Sequence, residues 1–222
     1  IQSMSARRLV WSLLELMKAK RPDAGKCLIL EVRIVSLLGL DVGTTGCKAT
    51  VCNVDGKVIA SAYREYPLFS PQPGWAELDS VRVWADIKDC LGQVAQETKS
   101  DPITAIAVSC QGEATTPLDE NGNILDRSPV SFDARTGDLV SWWEENVGRE
   151  KIFQITGQPL AAPFTALKLQ WMKQNKPDVF KKVKKFLCYE DFVYHQLGLE
   201  PVTDYTIAGP TMFFNLKKHD SS

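Results

Sequence analysis

Apolar and polar residues alternate along the first part of the chain in a pattern typical of short β-strands. An apolar run that ends on Asp41 is followed by Val42-Gly-Thr-Thr-Gly46, which predicts a strand and then a tight loop. Two further alternating segments, residues 48–54 and 57–66, are joined by Asp55-Gly56, a strong signal for a two-residue hairpin. The pattern therefore predicts three consecutive strands before any helix.

Helical spacing of apolar residues begins after a proline-rich loop at residues 67–79. Asp79 or Ser80 is expected to cap a helix whose apolar face carries Trp84, Ile87, Leu91, Val94 and Thr98. The remaining predictions are a buried strand at 103–109, short strands at 129–132 and 183–189, and helices at 136–146, 164–175 and 191–197. The second half of the chain is therefore expected to be mainly helical.

The composition is that of a packed globular protein. Hydrophobic residues make up 44% of the 222 positions and charged residues 24%, which excludes disorder for most of the chain. Because the 26 Lys and Arg residues are balanced by 27 Asp and Glu residues, no large basic surface for nucleic acid is expected. The longest apolar stretch is interrupted by Glu31 and Arg33, and no run approaches the roughly 20 apolar residues that span a bilayer. We therefore expect no membrane span.

The six cysteines contain no CxxC pair, and only two histidines could complete a metal site. Cysteines within apolar runs usually behave as small buried hydrophobic residues. We therefore expect reduced thiols and a cytoplasmic location, not disulfides or a zinc site.

Residues 1–35 differ from the rest of the chain in charge, with seven Lys and Arg against three Asp and Glu. Arginines and apolar residues at helical spacing are also found in transit peptides, but no small-residue cleavage site follows here. We treat this segment as a leader or extension of unknown role. The motifs that indicate a function lie within residues 36–222.

The loop after the first strand has the chemistry of a phosphate site. Asp41 leaves a strand end, and glycines let the backbone turn close to a ligand. Exposed N–H groups and the hydroxyls of Thr44 and Thr45 can hold phosphate oxygens, while Asp41 can hold a hydrated magnesium ion that bridges them. The GxxxxGK[ST] spacing of a P-loop is missing. Taken alone, the segment could equally be an ordinary hairpin turn.

Six short motifs then follow one another between about Leu37 and Lys218. They are Gly39-Leu-Asp-Val-Gly-Thr-Thr-Gly-Cys-Lys-Ala49, Pro73-Gly-Trp-Ala-Glu-Leu-Asp79, Ser109-Cys-Gln-Gly-Glu113, Phe132-Asp-Ala-Arg-Thr136, Ala166-Leu-Lys-Leu-Gln-Trp171 and Val202-Thr-Asp-Tyr-Thr-Ile-Ala208. In this order they resemble the FGGY family of carbohydrate kinases, within the sugar kinase, heat-shock 70 and actin superfamily. A protein that shared only the phosphate loop would lack the later motifs.

The resemblance implies an α/β, RNase H-like domain: a mixed five-stranded sheet, its first three strands antiparallel, flanked by helices. It also implies an enzyme that uses ATP and Mg²⁺ to phosphorylate a hydroxyl of a sugar or polyol. Asp41, Gly43, Thr44 and Thr45 would face the ATP phosphates and the magnesium ion, which Asp41 would hold. Lys48 would lie nearby, although it could equally be an exposed strand lysine.

The resemblance places Gln111, Gly112 and Glu113 at the acceptor site, where a carboxylate can receive hydrogen bonds from substrate hydroxyls. Glu113 could instead be a solvated loop residue. Four more residues are substrate candidates, and each has a structural alternative. Phe132 could form an apolar wall of the substrate site or belong to the core. Asp133 and Arg135 could contact substrate hydroxyls or form an ion pair that fixes the loop, and Trp75 could contact the substrate or pack its own loop.

The sequence departs from the family pattern in two respects. Gln111-Gly-Glu-Ala114 matches neither the glycerol-type nor the ketose-type version of this motif, so the substrate stays open. The family's base aspartate and its adenosine-binding second domain belong to sequence beyond the matched part. We therefore expect an N-terminal kinase domain that is inactive alone, or a non-catalytic sugar-binding or partner-docking module derived from one. Homodimerisation is expected for the parent enzyme.

Overall fold

The computed structural model of the protein describes residues 36–221, so the leader at 1–35 lies outside the described residues. The strands are β1 Ser36–Val42, β2 Gly46–Asn53, β3 Val58–Glu65, β4 Glu77–Leu78, β5 Ile103–Cys110, β6 Thr115–Leu118, β7 Ser128–Pro129, β8 Lys185–Cys188, β9 Phe214–Asn215 and β10 Asp220–Ser221. The α-helices are α1 Ser80–Glu97, α2 Gly137–Asn146, α3 Arg149–Thr156, α4 Thr165–Asn175, α5 Pro177–Phe180, α6 Tyr189–Gln196 and α7 Tyr205–Ala208, and a 3₁₀ helix follows at Gly209–Thr211.

The described residues form two compact units. The first contains residues 36–42, 46–65 and 84–109, and the second contains residues 43–45, 66–83 and 110–221. The first turn of α1 therefore belongs to the second unit and the rest of that helix to the first.

The first unit is built on a four-stranded sheet in the order β3-β2-β1-β5. The predicted antiparallel pairing of the first three strands is confirmed, with Leu40 opposite Ala49 and Ala49 opposite Ala62. Burial alternates along β1, so that one side of the sheet is covered and the other is open. Gly56 has a φ of 79°, the left-handed conformation for which its lack of Cβ suits it, in the turn that joins β2 to β3.

The helix predicted from its apolar spacing covers this sheet. Trp84, Ile87, Leu91 and Val94 are all buried, as the periodicity predicts. The Sγ atoms of Cys47 on β2 and Cys90 on α1 lie 3.9 Å apart, which shows how closely the helix packs on the buried side of the sheet.

The prediction of five strands in one sheet is wrong, because the described sheet has four. The two remaining candidate strands pair elsewhere in the second unit. β8 pairs antiparallel with β6, and the short β7 pairs with β4. A local apolar pattern predicts that a strand exists but not which strand it pairs with.

The second unit carries most of the helices. The predicted helices at 136–146, 164–175 and 191–197 correspond to α2, α4 and α6, shifted by up to two residues at their ends. Its apolar cluster includes Ile152 on α3, Leu167 on α4 and Met212. Among the described residues, no helix combines the length and the apolar character needed to cross a bilayer.

Candidate functional site

Asp41 and Lys48 lie in the first unit, directly opposite each other on β1 and β2. Both are exposed, because they fall on the open side of the sheet. They line a shallow cavity of about 320 Å³ together with Gly39, Thr50, Ala107 and Ser109. This surface therefore presents one carboxylate and one ammonium group that a ligand can reach.

The predicted phosphate-binding loop, Gly43 to Thr45, belongs to the second unit and is held by its carbonyl groups. The Gly43 carbonyl accepts hydrogen bonds from the Tyr66 hydroxyl at 2.7 Å and from Gln111 Nε2 at 3.2 Å. The Thr45 carbonyl accepts from the Tyr66 N–H at 3.2 Å. These bonds occupy carbonyl oxygens, the groups that would repel a phosphate. They also bring Gln111, a predicted acceptor residue, to the predicted phosphate loop.

Glu113 is buried, with only 8% of its surface exposed. It follows β5 in a left-handed conformation with a φ of 67°, which is uncommon for a residue with a Cβ. Its Oε2 accepts a hydrogen bond from the Thr165 hydroxyl at 3.1 Å. Burial raises the pKa of Glu113 to about 7, against the opposing effects of the Lys168 charge and the Thr165 hydrogen bond. A solvated loop position, the alternative from the sequence, does not describe this side chain.

Two acceptor oxygens near each other in the sequence have no hydrogen-bond partner. They are Oε1 of Glu113 and Oε1 of Gln111, and both are buried. Buried polar atoms are nearly always paired, so an unpaired one needs an explanation. Two unpaired acceptors at residues 111 and 113 suit a ligand that donates hydrogen bonds, such as one with several hydroxyl groups.

Arg135 lies at the centre of a buried ionic cluster. Its Nε and Nη2 donate to the two carboxylate oxygens of Asp133 at 2.7 and 2.8 Å, and Nη2 also donates to Glu77 Oε1 at 2.8 Å. The guanidinium carbon is 4.1 Å from the centre of the Trp75 ring and 4.8 Å from that of Trp171. The loop-fixing ion pair that the sequence left as an alternative is therefore present.

This cluster also fixes the backbone near Asp133 and keeps the Asp133 carboxyl ionised. Oδ2 of Asp133 accepts a hydrogen bond from the Ala76 N–H at 2.6 Å, which ties the loop at residue 133 to the loop that carries Trp75. Burial alone would raise the pKa of Asp133, but its hydrogen bonds to Arg135 and Ala76 outweigh burial and hold this pKa below its usual value. The arrangement favours a positioning role for Asp133, Arg135 and Trp75.

Phe132 and Gly112 are accessible. Phe132 is 57% exposed, which excludes the core role that the sequence left open and leaves its ring free to contact a ligand. Gly112 is half-buried, and a Cβ built on it would have no neighbour within 4 Å. Both therefore lie where a ligand can approach them.

A second cavity, of about 300 Å³, lies beside Thr165, the residue that holds Glu113. Cys188, Asp191 and Thr203 also line it. Oδ1 of Asp191 is buried without a partner, and burial raises the pKa of Asp191 to about 7. Because Leu169, Phe186 and Phe213 also line this cavity, it offers room for a small molecule with both apolar and polar groups near the Glu113 hydrogen bond.

The motifs assign no role to Lys168, which is 3% exposed and donates to three main-chain carbonyls. Burial lowers its pKa to about 8, although the charges of Glu113 and Asp133 oppose this. The available signal was its place in the motif Ala166-Leu-Lys-Leu, where flanking apolar residues make an exposed lysine unexpected.

No group of three or more His, Cys, Asp or Glu side chains suited to a metal ion occurs within residues 36–221. A magnesium ion that bridges nucleotide phosphates usually takes one or two protein carboxylates and several waters. A single exposed carboxylate such as Asp41 fits that kind of site.

Comparison with known proteins agrees with these motifs. Residues 36–222 match the FGGY family of carbohydrate kinases, N-terminal domain. A glycerol kinase of Thermococcus onnurineus is 34% identical over 191 residues, which is 82% of this chain and 38% of that protein. The xylulose kinase structure of Rhodospirillum rubrum has a TM-score of 0.80 at 29% identity and covers 84% of this chain and 39% of the other.

A Plasmodium falciparum glycerol kinase solved with ADP shares the fold, with a TM-score of 0.78 at 19% identity over 85% of this chain and 39% of the other. The chain thus spans less than half the length of these relatives. Because the family match covers all the described residues and the curated relatives are kinases of glycerol and xylulose, this chain belongs to the FGGY family of carbohydrate kinases, through its N-terminal domain.

Proposed function

We propose that the chain provides the acceptor-binding and phosphate-binding half of an ATP-dependent kinase that phosphorylates a hydroxyl of a sugar or polyol. In the complete reaction, the hydroxyl oxygen attacks the γ-phosphorus of ATP, giving ADP and the phosphate ester. The hydroxyl proton passes to a base. The observation that carries the proposal is the pair of buried, unpaired acceptor oxygens on Gln111 and Glu113.

The acceptor would bind by donating hydroxyl hydrogen bonds to these two oxygens. A site built this way rejects analogues that lack the hydroxyl, because its buried acceptors are then left unpaired. The exposed ring of Phe132 is available as an apolar wall for the carbon side of the substrate. Relatives that act on glycerol and on xylulose match this chain, so polyols and ketoses are both candidates.

In the second unit, the loop from Gly43 to Thr45 would contact phosphate oxygens. In the first unit, Asp41 would be the carboxylate for Mg²⁺, and Lys48 would supply a positive charge. Magnesium neutralises the charge that develops on the transferred group and orients it. The hydrogen bond from Gln111 to the Gly43 carbonyl supports this arrangement, because it links the acceptor residues to the phosphate loop within one unit.

The resemblance to the family assigns the base aspartate and the adenosine-binding domain to sequence beyond the matched part. We therefore expect this 222-residue polypeptide, tested by itself, to bind the acceptor without appreciable turnover. Phosphoryl transfer needs positioning on both sides of the reacting group, and half of a cleft supplies only part of that positioning.

The test is equilibrium binding of polyols, ketoses and sugar acids to the 222-residue chain, compared with Glu113→Gln and with Glu120→Gln as an exposed control. At least one compound should bind, and Glu113→Gln should weaken it by about tenfold or more, since a buried charged acceptor is lost. Glu120→Gln should change nothing. Absence of binding across the panel, or equal affinity in Glu113→Gln, would contradict the acceptor site. Phosphate transfer well above background would contradict the expected lack of turnover.

A further inference from the structure

Lys168 donates hydrogen bonds to the two segments that carry the acceptor residues, one at Glu113 and one just before Phe132. Its Nζ donates to the carbonyl of Glu113 at 2.6 Å, to that of Val130 at 2.9 Å and to that of Pro129 at 3.5 Å. Residues 129 and 130 lead directly into the segment with Phe132. One ammonium group therefore joins the backbone at Glu113 to the backbone before Phe132.

A buried ammonium group is costly unless it is fully hydrogen-bonded. If this position only had to fill space in the core, an apolar residue would stabilise the fold better than a buried ammonium group. The neighbouring Ala166 and Leu167 on the same helix are apolar and buried. The position of the lysine is therefore best explained by what its charge and its donors do for Glu113.

The backbone of Glu113 needs such support. Its φ of 67° is unfavourable for a residue with a Cβ, and such conformations persist when surrounding contacts impose them. The Lys168 ammonium holds the carbonyl of this residue. Its hydrogen bonds go to carbonyls and not to the carboxylate, so Oε1 of Glu113 keeps its free lone pairs.

We propose that Lys168 is a positioning residue, which locks the left-handed backbone of Glu113 and stabilises its carboxylate charge from a distance while leaving one oxygen free for a substrate hydroxyl. This inference rests on the proposed function, because it assigns Glu113 the role of acceptor ligand. Lys168 itself need not touch the substrate.

The charges around the pair act in a defined direction. Lys168 lowers the pKa of Glu113, and Glu113 raises that of Lys168. Asp133 also raises the pKa of Lys168, Arg135 lowers it, and Cys188 raises it. Removal of the lysine charge should therefore raise the pKa of Glu113 further, so that less of it is ionised at neutral pH.

The experiment uses the full chain with Lys168→Met, and with Lys173→Met as the matched control on the exposed side of the same helix. A ¹³C NMR titration follows the Glu113 carboxyl, assigned by its absence in Glu113→Gln. In Lys168→Met the pKa of Glu113 should rise by about one unit or more. Affinity for the bound polyol or sugar at pH 7 should fall by about tenfold, and its pH profile should move upward with that pKa. Lys173→Met should leave both unchanged.

Lys168→Arg keeps the positive charge, so the pKa of Glu113 should stay closer to its wild-type value than in Lys168→Met, even where the larger side chain weakens substrate binding. An unchanged titration and an affinity within twofold in folded Lys168→Met would overturn the proposal. If Lys168→Met does not fold, ¹⁵N NMR of the Lys168 ammonium decides. Its pKa should fall in Glu113→Gln, and an unchanged value would also overturn it. If no compound binds to the wild type, the proposed function fails. The ¹³C NMR titration still shows whether the charge of Lys168 lowers the pKa of Glu113.

Discussion

The guanidinium carbon of Arg135 lies 4.1 Å from the centre of the Trp75 ring, so the charge that pairs with Asp133 is also covered by an aromatic face. Arginine suits this position because its planar guanidinium group can donate two hydrogen bonds to a carboxylate while it stacks on an aromatic ring. The side chain of Arg135 is 1% exposed, and that of Glu77, its second acidic partner, is 6% exposed. Water therefore does little to weaken these contacts.

We predict that Arg135→Met lowers the free energy of unfolding by about 3–5 kcal/mol, because it leaves the buried Asp133 without its ion-pair partner and leaves Glu77 with only the longer 3.9 Å contact to Arg127. Arg135→Lys should fall between Arg135→Met and the wild type, since it restores the charge without the two-pronged geometry. Urea unfolding measures both variants.

Arg149→Met is the matched control for this prediction. The side chain of Arg149 is 53% exposed where it pairs with Glu144, so its replacement should change stability far less. Equal losses of stability for Arg135→Met and Arg149→Met would show that the buried cluster is not a structural support.

The raised pKa of Glu113 predicts a stability cost that depends on pH. A carboxyl whose pKa is raised from 4.5 to about 7 on folding holds its proton more tightly in the folded state. Its contribution to stability is therefore present at low pH and is lost as the pH rises from about 4.5 to about 7. Glu113→Gln cannot ionise, so it should gain stability relative to the wild type across this window.

The gain should reach up to about 3 kcal/mol above pH 7 and be small near pH 4.5. Thermal or urea unfolding of the wild type, Glu113→Gln and the exposed control Glu120→Gln at several pH values measures it. A difference between Glu113→Gln and the wild type that does not vary with pH would mean that Glu113 titrates alike in the folded and unfolded chains.

Features that depend on neighbouring residues in the chain were predictable from the sequence. The apolar face of α1, the turn at Asp55-Gly56 and the first three strands are local patterns of this kind. The pairing of β6 with β8 was not predictable, because the paired residues Leu118 and Lys185 lie 67 positions apart in the chain. Which strands meet is decided by packing across the whole unit.

The candidate site divides in the same way. The motif order predicts Gln111 and Glu113 as acceptor-site residues, but not the burial or the hydrogen bonds of either side chain. The left-handed conformation falls on Glu113 and not on the neighbouring Gly112, which no local pattern indicates. The burial of Lys168 also depends on distant segments, since its carbonyl partners Glu113 and Val130 lie 55 and 38 residues away. Local patterns could not reveal these contacts.

Asp41 carries the last prediction, which concerns magnesium. If this exposed carboxylate holds Mg²⁺ beside the phosphates, Mg²⁺ should strengthen the binding of inorganic triphosphate to the wild type. Triphosphate is the probe because it presents the phosphates without needing a site for adenosine. Asp41→Asn keeps the size of the side chain but removes its charge, so Mg²⁺ should no longer strengthen binding. Affinity without Mg²⁺ should be equal or slightly higher, since a negative charge near the anion is gone.

Isothermal titration calorimetry with and without Mg²⁺ measures this for the wild type, Asp41→Asn, Lys48→Met and the control Asp55→Asn, an exposed aspartate in the β2–β3 turn. We expect Mg²⁺ to raise the affinity of the wild type by about tenfold and to leave the affinity of Asp41→Asn unchanged. Lys48→Met should weaken binding with and without the metal, because it removes a positive charge, and Asp55→Asn should match the wild type. The same Mg²⁺ effect in Asp41→Asn as in the wild type would remove Asp41 from the metal site and leave the metal to the phosphates and water alone.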